Sequence, residues 1–93
     1  MNHRAFGRLG WQVGEIGMGC WAIGKGWGWG PQDDEASVQA LHRALDLGAN
    51  FLDTAQGYGD GHSERLIGRV LKERGGPSKA AAGSRLIIAT KVP

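Results

Sequence analysis

Asp53, Tyr58 and Lys91 are the residues whose types and placement in this chain suit proton transfer. Asp53 closes a short apolar run, Asn50-Phe51-Leu52-Asp53, and Lys91 follows a second run, Arg85 to Thr90, so the sequence predicts that both charges stand at strand ends. Tyr58 lies in the glycine-punctuated loop between Thr54 and Gly61. A carboxylate at the end of an apolar strand resists ionisation unless a cation is near, and Lys91 is the candidate cation. By themselves, an aspartate and a lysine so placed form either an inert structural pair or part of a site. Tyr58 shifts that balance. A phenol with an ordinary pKa near 10 is a poor acid at neutral pH, and a neighbouring ammonium stabilises its phenolate. Carboxylate, ammonium and phenol in series form a relay that can hand a proton to a developing alkoxide.

Other residues invite a chemical reading and keep a plainer one beside it. Gly17-Met18-Gly19-Cys20-Trp21-Ala22 fits the dinucleotide fingerprint G-x-G-x-x-A, which carries meaning only where its last position opens a helix. Here Gly24, Gly26, Gly28, Gly30 and Pro31 follow, so the glycines read instead as places where backbones pass closely. His62 offers imidazole chemistry, yet Gly61-His62-Ser63-Glu64 is the approach to a helix, with Ser63 available as a cap, and the structural role is favoured. His42, inside a helical pattern beside Arg43, reads as a packing or surface residue. Trp21 is either an apolar anchor or the wall of a pocket, and Trp27 and Trp29 either pack their loop or stack on a ligand. Cys20 is the single cysteine, which excludes an internal disulfide and a zinc quartet and suits a reducing compartment. No metal site is expected.

The elements that must position these residues can be read from spacing. Arg4 to Val13, with Gly7 and Gly10 among Phe6, Leu9 and Trp11, predicts a hairpin, and Glu15 to Trp21 predicts the first strand after it. Asp33-Asp34-Glu35 begins a helix whose apolar face is Val38, Leu41, Ala44 and Leu45, and Gly48 ends it. A buried strand, Ala49 to Asp53, follows. A second helix runs from about Ser63 to Arg74 until Gly75-Gly76-Pro77 stops it. Ser78 to Ser84 reads as a flexible connection, and Leu86 to Ala89 as a fully buried parallel strand. The order hairpin, β, α, β, α, β predicts right-handed parallel units of an α/β fold. In a barrel built from such units the C-terminal ends of the strands carry the chemistry, and a whole barrel takes roughly 250 residues. Residues 1–93 therefore read as one partial domain, the first few strands of such a barrel.

Composition narrows the class. With 41% hydrophobic and 22% charged residues, the 93-residue chain is ordinary globular material, enriched in glycine and tryptophan. Its formal net charge of +2 is scattered rather than gathered on one face, so no nucleic-acid partner is expected. No apolar run approaches the roughly 18 residues of a membrane helix and the start lacks a signal-peptide core, leaving the cytoplasm as the expected location.

Four segments together resemble the aldo-keto reductases: Arg4-Ala5-Phe6-Gly7 with Gly10 and Val13; Ile16 to Trp21; Asp53-Thr54-Ala55 with Tyr58 to Glu64, Ile67 and Gly68; and Ile88-Ala89-Thr90-Lys91. Ala44-Leu45-Asp46-Leu47-Gly48 leading into Asn50 is similar to microbial members. The resemblance implies the N-terminal portion of a (β/α)8 TIM barrel with a hairpin closing its bottom. It also implies NADPH-dependent reduction of a small aldehyde or ketone. By that resemblance Tyr58 is the proton donor, Lys91 lowers its pKa, Asp53 holds Lys91, and Trp21 with the backbone near Cys20 borders nicotinamide and substrate. The family's catalytic histidine lies beyond Lys91, and its sites for the NADP adenosine phosphate lie in later strands, so these residues alone are expected to be inactive. Unpaired sheet edges are expected to favour self-association. The rivals are a regulatory subunit on the same fold, as in potassium-channel β subunits, and a small binding module built around Trp27 and Trp29.

Overall fold

The computed structural model describes residues 1–24, 33–81 and 85–92. Strands β1 (His3–Ala5) and β2 (Gln12–Gly14) pair antiparallel, with Arg4 opposite Val13. Gly7 and Gly10, at φ +57° and +76°, take the turn between them through the left-handed region that glycine tolerates best. The second sheet is parallel, in the order β3 (Met18–Gly19), β4 (Phe51–Asp53), β5 (Ile87–Ala89). Helices α1 (Asp34–Asp46) and α2 (His62–Glu73) supply the two crossovers.

Each helix follows from its sequence. Asp33 caps α1 by accepting from the Glu35 N–H at 3.0 Å, and Asp34 and Glu35 place negative charge at the positive end of the helix dipole. Val38, Leu41 and Leu45 form the buried stripe, and Gly48 leaves the helix at φ +99°. On α2 the buried stripe is Leu66, Ile67 and Val70. The two stripes meet over Leu52, the helix-side residue of the central strand. Leu41, Leu45 and Leu52 are no more than 1% exposed, so truncating any of them to alanine costs roughly 2–5 kcal/mol.

The hairpin is tied to the sheet by a side chain that the pattern of apolar residues does not single out. Asn50, 1% exposed, accepts from the Gly14 N–H at 2.8 Å and donates through Nδ2 to the carbonyls of Gln12 and Arg85. One buried amide thus joins the hairpin, the start of β4 and the approach to β5, with its hydrogen-bonding capacity used.

Three expectations need correction. The first parallel strand is Met18–Gly19 rather than Glu15 to Trp21, because the exposed Glu15 and Ile16 still belong to the exit from the hairpin and Ala22–Gly24 already turns as 3₁₀ helix. The Ser78 to Ser84 connection contains a helical turn, α3 (Pro77–Ala80), where proline at the first position suits a helix start. Ile88 is 39% exposed, so β5 is not fully buried: among the described residues it has a neighbour on one side only.

Candidate active site

The C-terminal ends of β4 and β5 lie side by side because Asp53 pairs with Ala89 in register and the Thr54 N–H donates to the Ala89 carbonyl at 2.8 Å. The chain past β5 is then held by the Gln56 N–H, which donates to the Lys91 carbonyl at 3.0 Å. Lys91 is left pointing at three acceptors. Its ammonium donates to Asp53 Oδ1 at 2.6 Å, to the Thr54 carbonyl at 2.9 Å and to Tyr58 Oη at 3.5 Å. All three of its hydrogens are engaged. The Asp53 bond, with a smaller contribution from Tyr58, raises the Lys91 pKa above the ordinary lysine value. The side chains of the ion pair are about half exposed, 54% for Lys91 and 52% for Asp53, so the pair stands open on the sheet rim rather than buried in it.

Tyr58 reaches this point from a loop pressed against the 3₁₀ turn after β3. A Cβ added at Gly24 would lie 2.7 Å from the Tyr58 carbonyl group, and one added at Gly59, at φ +68°, would run into the Gly24 carbonyl. The phenol ring stacks on Trp21, with centroids 6.2 Å apart and planes at 28°, while the Lys91 Nζ lies 5.2 Å from its centroid. Trp21 is 47% exposed, so indole, phenol and ion pair share one open rim.

Cys20 stands behind that rim. Its side chain is fully buried, its N–H donates to the Asp53 carbonyl at 2.8 Å, and burial, with the Asp53 charge second, raises its thiol pKa to about 11. A thiol so placed is inert at neutral pH, and what Cys20 offers the rim is the position of Trp21. Ser63 holds the same turn from the other side. Its hydroxyl donates to the Cys20 carbonyl at 2.9 Å, which leaves Thr54 Oγ1 to donate to Ser63 Oγ at 2.8 Å, and both side chains are buried. Ser63 therefore does not cap α2. That helix starts from Gly61 at φ +88° with no side-chain cap.

The sequence brought Asp53, Tyr58, Lys91, Trp21 and Cys20 to attention, and the fold gathers all five at one end of the sheet. His62 turns elsewhere, its Nε2 lying 2.8 Å from Asp34 Oδ1. His42 bridges the two helices, 2.8 Å from Glu73 and 3.1 Å from Arg74. Trp27 and Trp29 lie outside the described residues. Sequence reasoning passed over the Thr54–Ser63 hydroxyl pair and the close approach of Gly24 and Gly59. The first left a trace, two small hydroxyl residues flanking the tyrosine loop; the second was lost among many glycines. Among the described residues no three His, Cys, Asp or Glu side chains converge as a metal site, and no helix is long and apolar enough to cross a membrane.

The Aldo/keto reductase family profile matches residues 15–93 of this sequence. The chain belongs to the aldo/keto reductase family. It is 37% identical over 91 residues to aldo-keto reductase YhdN of Bacillus subtilis (strain 168), a match covering 98% of this chain and 25% of that protein. It is 39% identical over 62 residues to the NADH-specific methylglyoxal reductase of Escherichia coli (strain K12), covering 66% of this chain and 19% of that one. In structure it resembles the thermostable aldo-keto reductase Tm1743, solved with the inhibitor epalrestat, at a TM-score of 0.72 and 35% identity, over 99% of this chain and 31% of that one. This aldo/keto reductase chain thus spans about a quarter of the length of its curated relatives, and its fold is the N-terminal portion of the (β/α)8 barrel.

Proposed function

We propose that this chain is part of an NADPH-dependent oxidoreductase that reduces an aldehyde or ketone to an alcohol, with Tyr58 as the proton donor. The observation that carries the reading is Lys91, held by Asp53 at 2.6 Å with its remaining reach directed at Tyr58 Oη. Because Tyr58 Oη accepts from the ammonium, its own hydrogen is free to point outward. A carbonyl oxygen arriving beside the phenol would take that hydrogen as negative charge develops on it, and the Lys91 charge would stabilise the phenolate left behind. Asp53 keeps Lys91 charged and aimed.

The residues present fit a nicotinamide. Trp21 offers a half-exposed aromatic face beside Tyr58, and Gly19, opposite Asp53 in register, leaves open space where a side chain would stand. The coenzyme, when bound, supplies the hydride that goes to the carbonyl carbon. Cys20, Trp21 and Asp53 would border it, and Trp21 with Tyr58 would border the substrate. We expect these 93 residues by themselves to bind it weakly and to turn nothing over.

An NMR titration with NADPH, and with NADH in parallel, tests the reading. The expected result is a shift of the Trp21 indole N–H that saturates with NADPH at lower concentration than with NADH and weakens at least tenfold in Asp53→Ala. Equal affinity for both would reassign the coenzyme. A shift unchanged in both Asp53→Ala and Lys91→Ala would sink the site.

A further inference from the structure

The first turn of α2 grips the end of every strand in the parallel sheet. Ser63 Oγ donates to the Cys20 carbonyl just past β3 and accepts from Thr54 Oγ1 just past β4. Its neighbour Glu64 accepts through Oε2 from Thr90 Oγ1, just past β5, at 2.7 Å. These three strand ends are the ones that carry Trp21, the Asp53–Tyr58 segment and Lys91. Helix α2 itself begins where the Tyr58 loop ends, and the Ser63 N–H donates to the Tyr58 carbonyl at 3.2 Å. Two consecutive side chains and one backbone amide therefore add a side-chain clamp to the backbone bonds that hold the rim residues.

We infer that Ser63 and Glu64 are positioning residues for the proposed proton relay, and that the Glu64–Thr90 bond in particular sets the reach of Lys91 to Tyr58. The inference rests on the reading of Asp53, Lys91 and Tyr58 given above. The Lys91–Tyr58 contact, at 3.5 Å, is the longest of the three that the ammonium makes, and the residue next to Lys91, Thr90, is tied to Glu64 through its side chain. A hydrogen bond to Oη fails within a few tenths of an ångström beyond that distance. Small freedom at Thr90 is thus converted into loss of the contact that matters, while the fold, whose core lies beneath Leu52, is untouched. The Ser63 half of the clamp is buried and the Glu64 half is accessible, so only the second can be cut without opening the interior.

Thr90→Val removes the hydroxyl and keeps the shape and the charge; Thr90→Ser restores the hydroxyl. The readout is the alkaline titration of the Lys91 side chain by NMR, with the cross-peaks between Lys91 and the ring of Tyr58, the single tyrosine of the chain. The expected result is a lower Lys91 midpoint and lost Tyr58 cross-peaks in Thr90→Val, both recovered in Thr90→Ser, with the urea midpoint the same in all three. A Thr90→Val protein whose Lys91 midpoint and cross-peaks match the unmodified chain would overturn the clamp and leave the relay standing. If the unmodified chain already shows an ordinary Lys91 midpoint and no Tyr58 cross-peaks, the relay reading itself fails, and the clamp with it. Should Thr90→Val unfold, Glu64→Gln, which keeps an acceptor for Thr90, and Glu64→Ala, which does not, give the same contrast.

Discussion

The charged network along the helix seam and the one on the sheet rim end differently. On the outer seam between α1 and α2, Glu35 takes a bidentate pair of bonds from Arg69 at 2.8 and 3.0 Å, Arg69 also reaches Glu73, Glu73 takes His42, His42 takes Arg74, and Arg74 closes on Asp46 at 2.7 Å. Because a guanidinium only donates, His42 Nδ1 must accept from Arg74, so Nε2 carries the ring hydrogen toward Glu73. Every charge there meets its opposite, and the chain of bonds ends on both sides at a carboxylate paired with a guanidinium. On the rim the sequence of bonds runs from Asp53 to Lys91 to the Tyr58 hydroxyl and, among the described residues, goes no further. A network that ends on paired charges holds helices together; one that ends on a hydroxyl is equipped for chemistry.

The largest effect that separates the two belongs to Arg74. Its side chain is 15% exposed and donates to the Ala80 carbonyl at 2.7 Å as well as to His42 and Asp46, so it joins α1, α2 and α3. Arg74→Ala is predicted to destabilise the fold by about 2 kcal/mol in urea unfolding, and Arg74→Lys to recover little, since a point charge cannot serve three directions. Lys91→Ala, by contrast, should leave the urea midpoint nearly unchanged while abolishing the coenzyme response of Trp21.

Of comparable size is the effect of Cys20, which lies under the rim but belongs energetically to the core. Its thiol pKa is raised from 9.0 to about 11 in the fold, so between those values the unfolded chain loses its proton and the folded one keeps it. Stability therefore falls as pH rises through that window, by about 2–3 kcal/mol when complete. Cys20→Ala should flatten this limb, and unfolding measured at pH 8.5 and 11 in both proteins checks it.

How much of this was legible in the sequence depends on the range of the interaction. Asp33 capping α1, and the stripe Val38, Leu41 and Leu45, are local rules, and they hold. The gathering of Asp53, Tyr58 and Lys91 follows from strand ends in a parallel sheet, so it too could be anticipated. Asn50, which bridges from β4 to Gly14 and Arg85, could not, because its partners are distant in sequence and nothing local marks an amide as buried. Ser63 misleads for the same reason: a serine at a helix start looks like a cap, and only the arrival of the Cys20 carbonyl gives its hydroxyl a better acceptor. Ile88 looks buried in sequence because an apolar run tells nothing of which strand lies at an edge, and it is exposed in the fold.

The last contrast is pH, since the two networks should fail at opposite ends of the scale. Glu73 is held below the ordinary glutamate range by the bond from His42 and then by that from Arg69, and Asp46 is lowered by Arg74. A depressed carboxyl stabilises the fold above its ordinary pKa and loses that contribution as pH falls through the folded value, so the seam weakens in acid, below about pH 4. Lys91 has the reverse sign. Its raised pKa gives a contribution that is complete below the ordinary lysine value of 10.5 and lost as pH rises through the folded one. Both contributions are small because the groups are exposed, and salt should shrink them further. Since Cys20 loses stability in the same alkaline direction, Lys91 has to be measured in a Cys20→Ala background, comparing Lys91 with Lys91→Met between pH 9.5 and 11.5. In that background Glu73→Gln should alter the acid limb alone and Lys91→Met the alkaline limb alone. An alkaline limb as large for Lys91 as for Cys20 would mean that the rim pair is sealed from water, and the distinction between a fully paired seam and an open rim would fall.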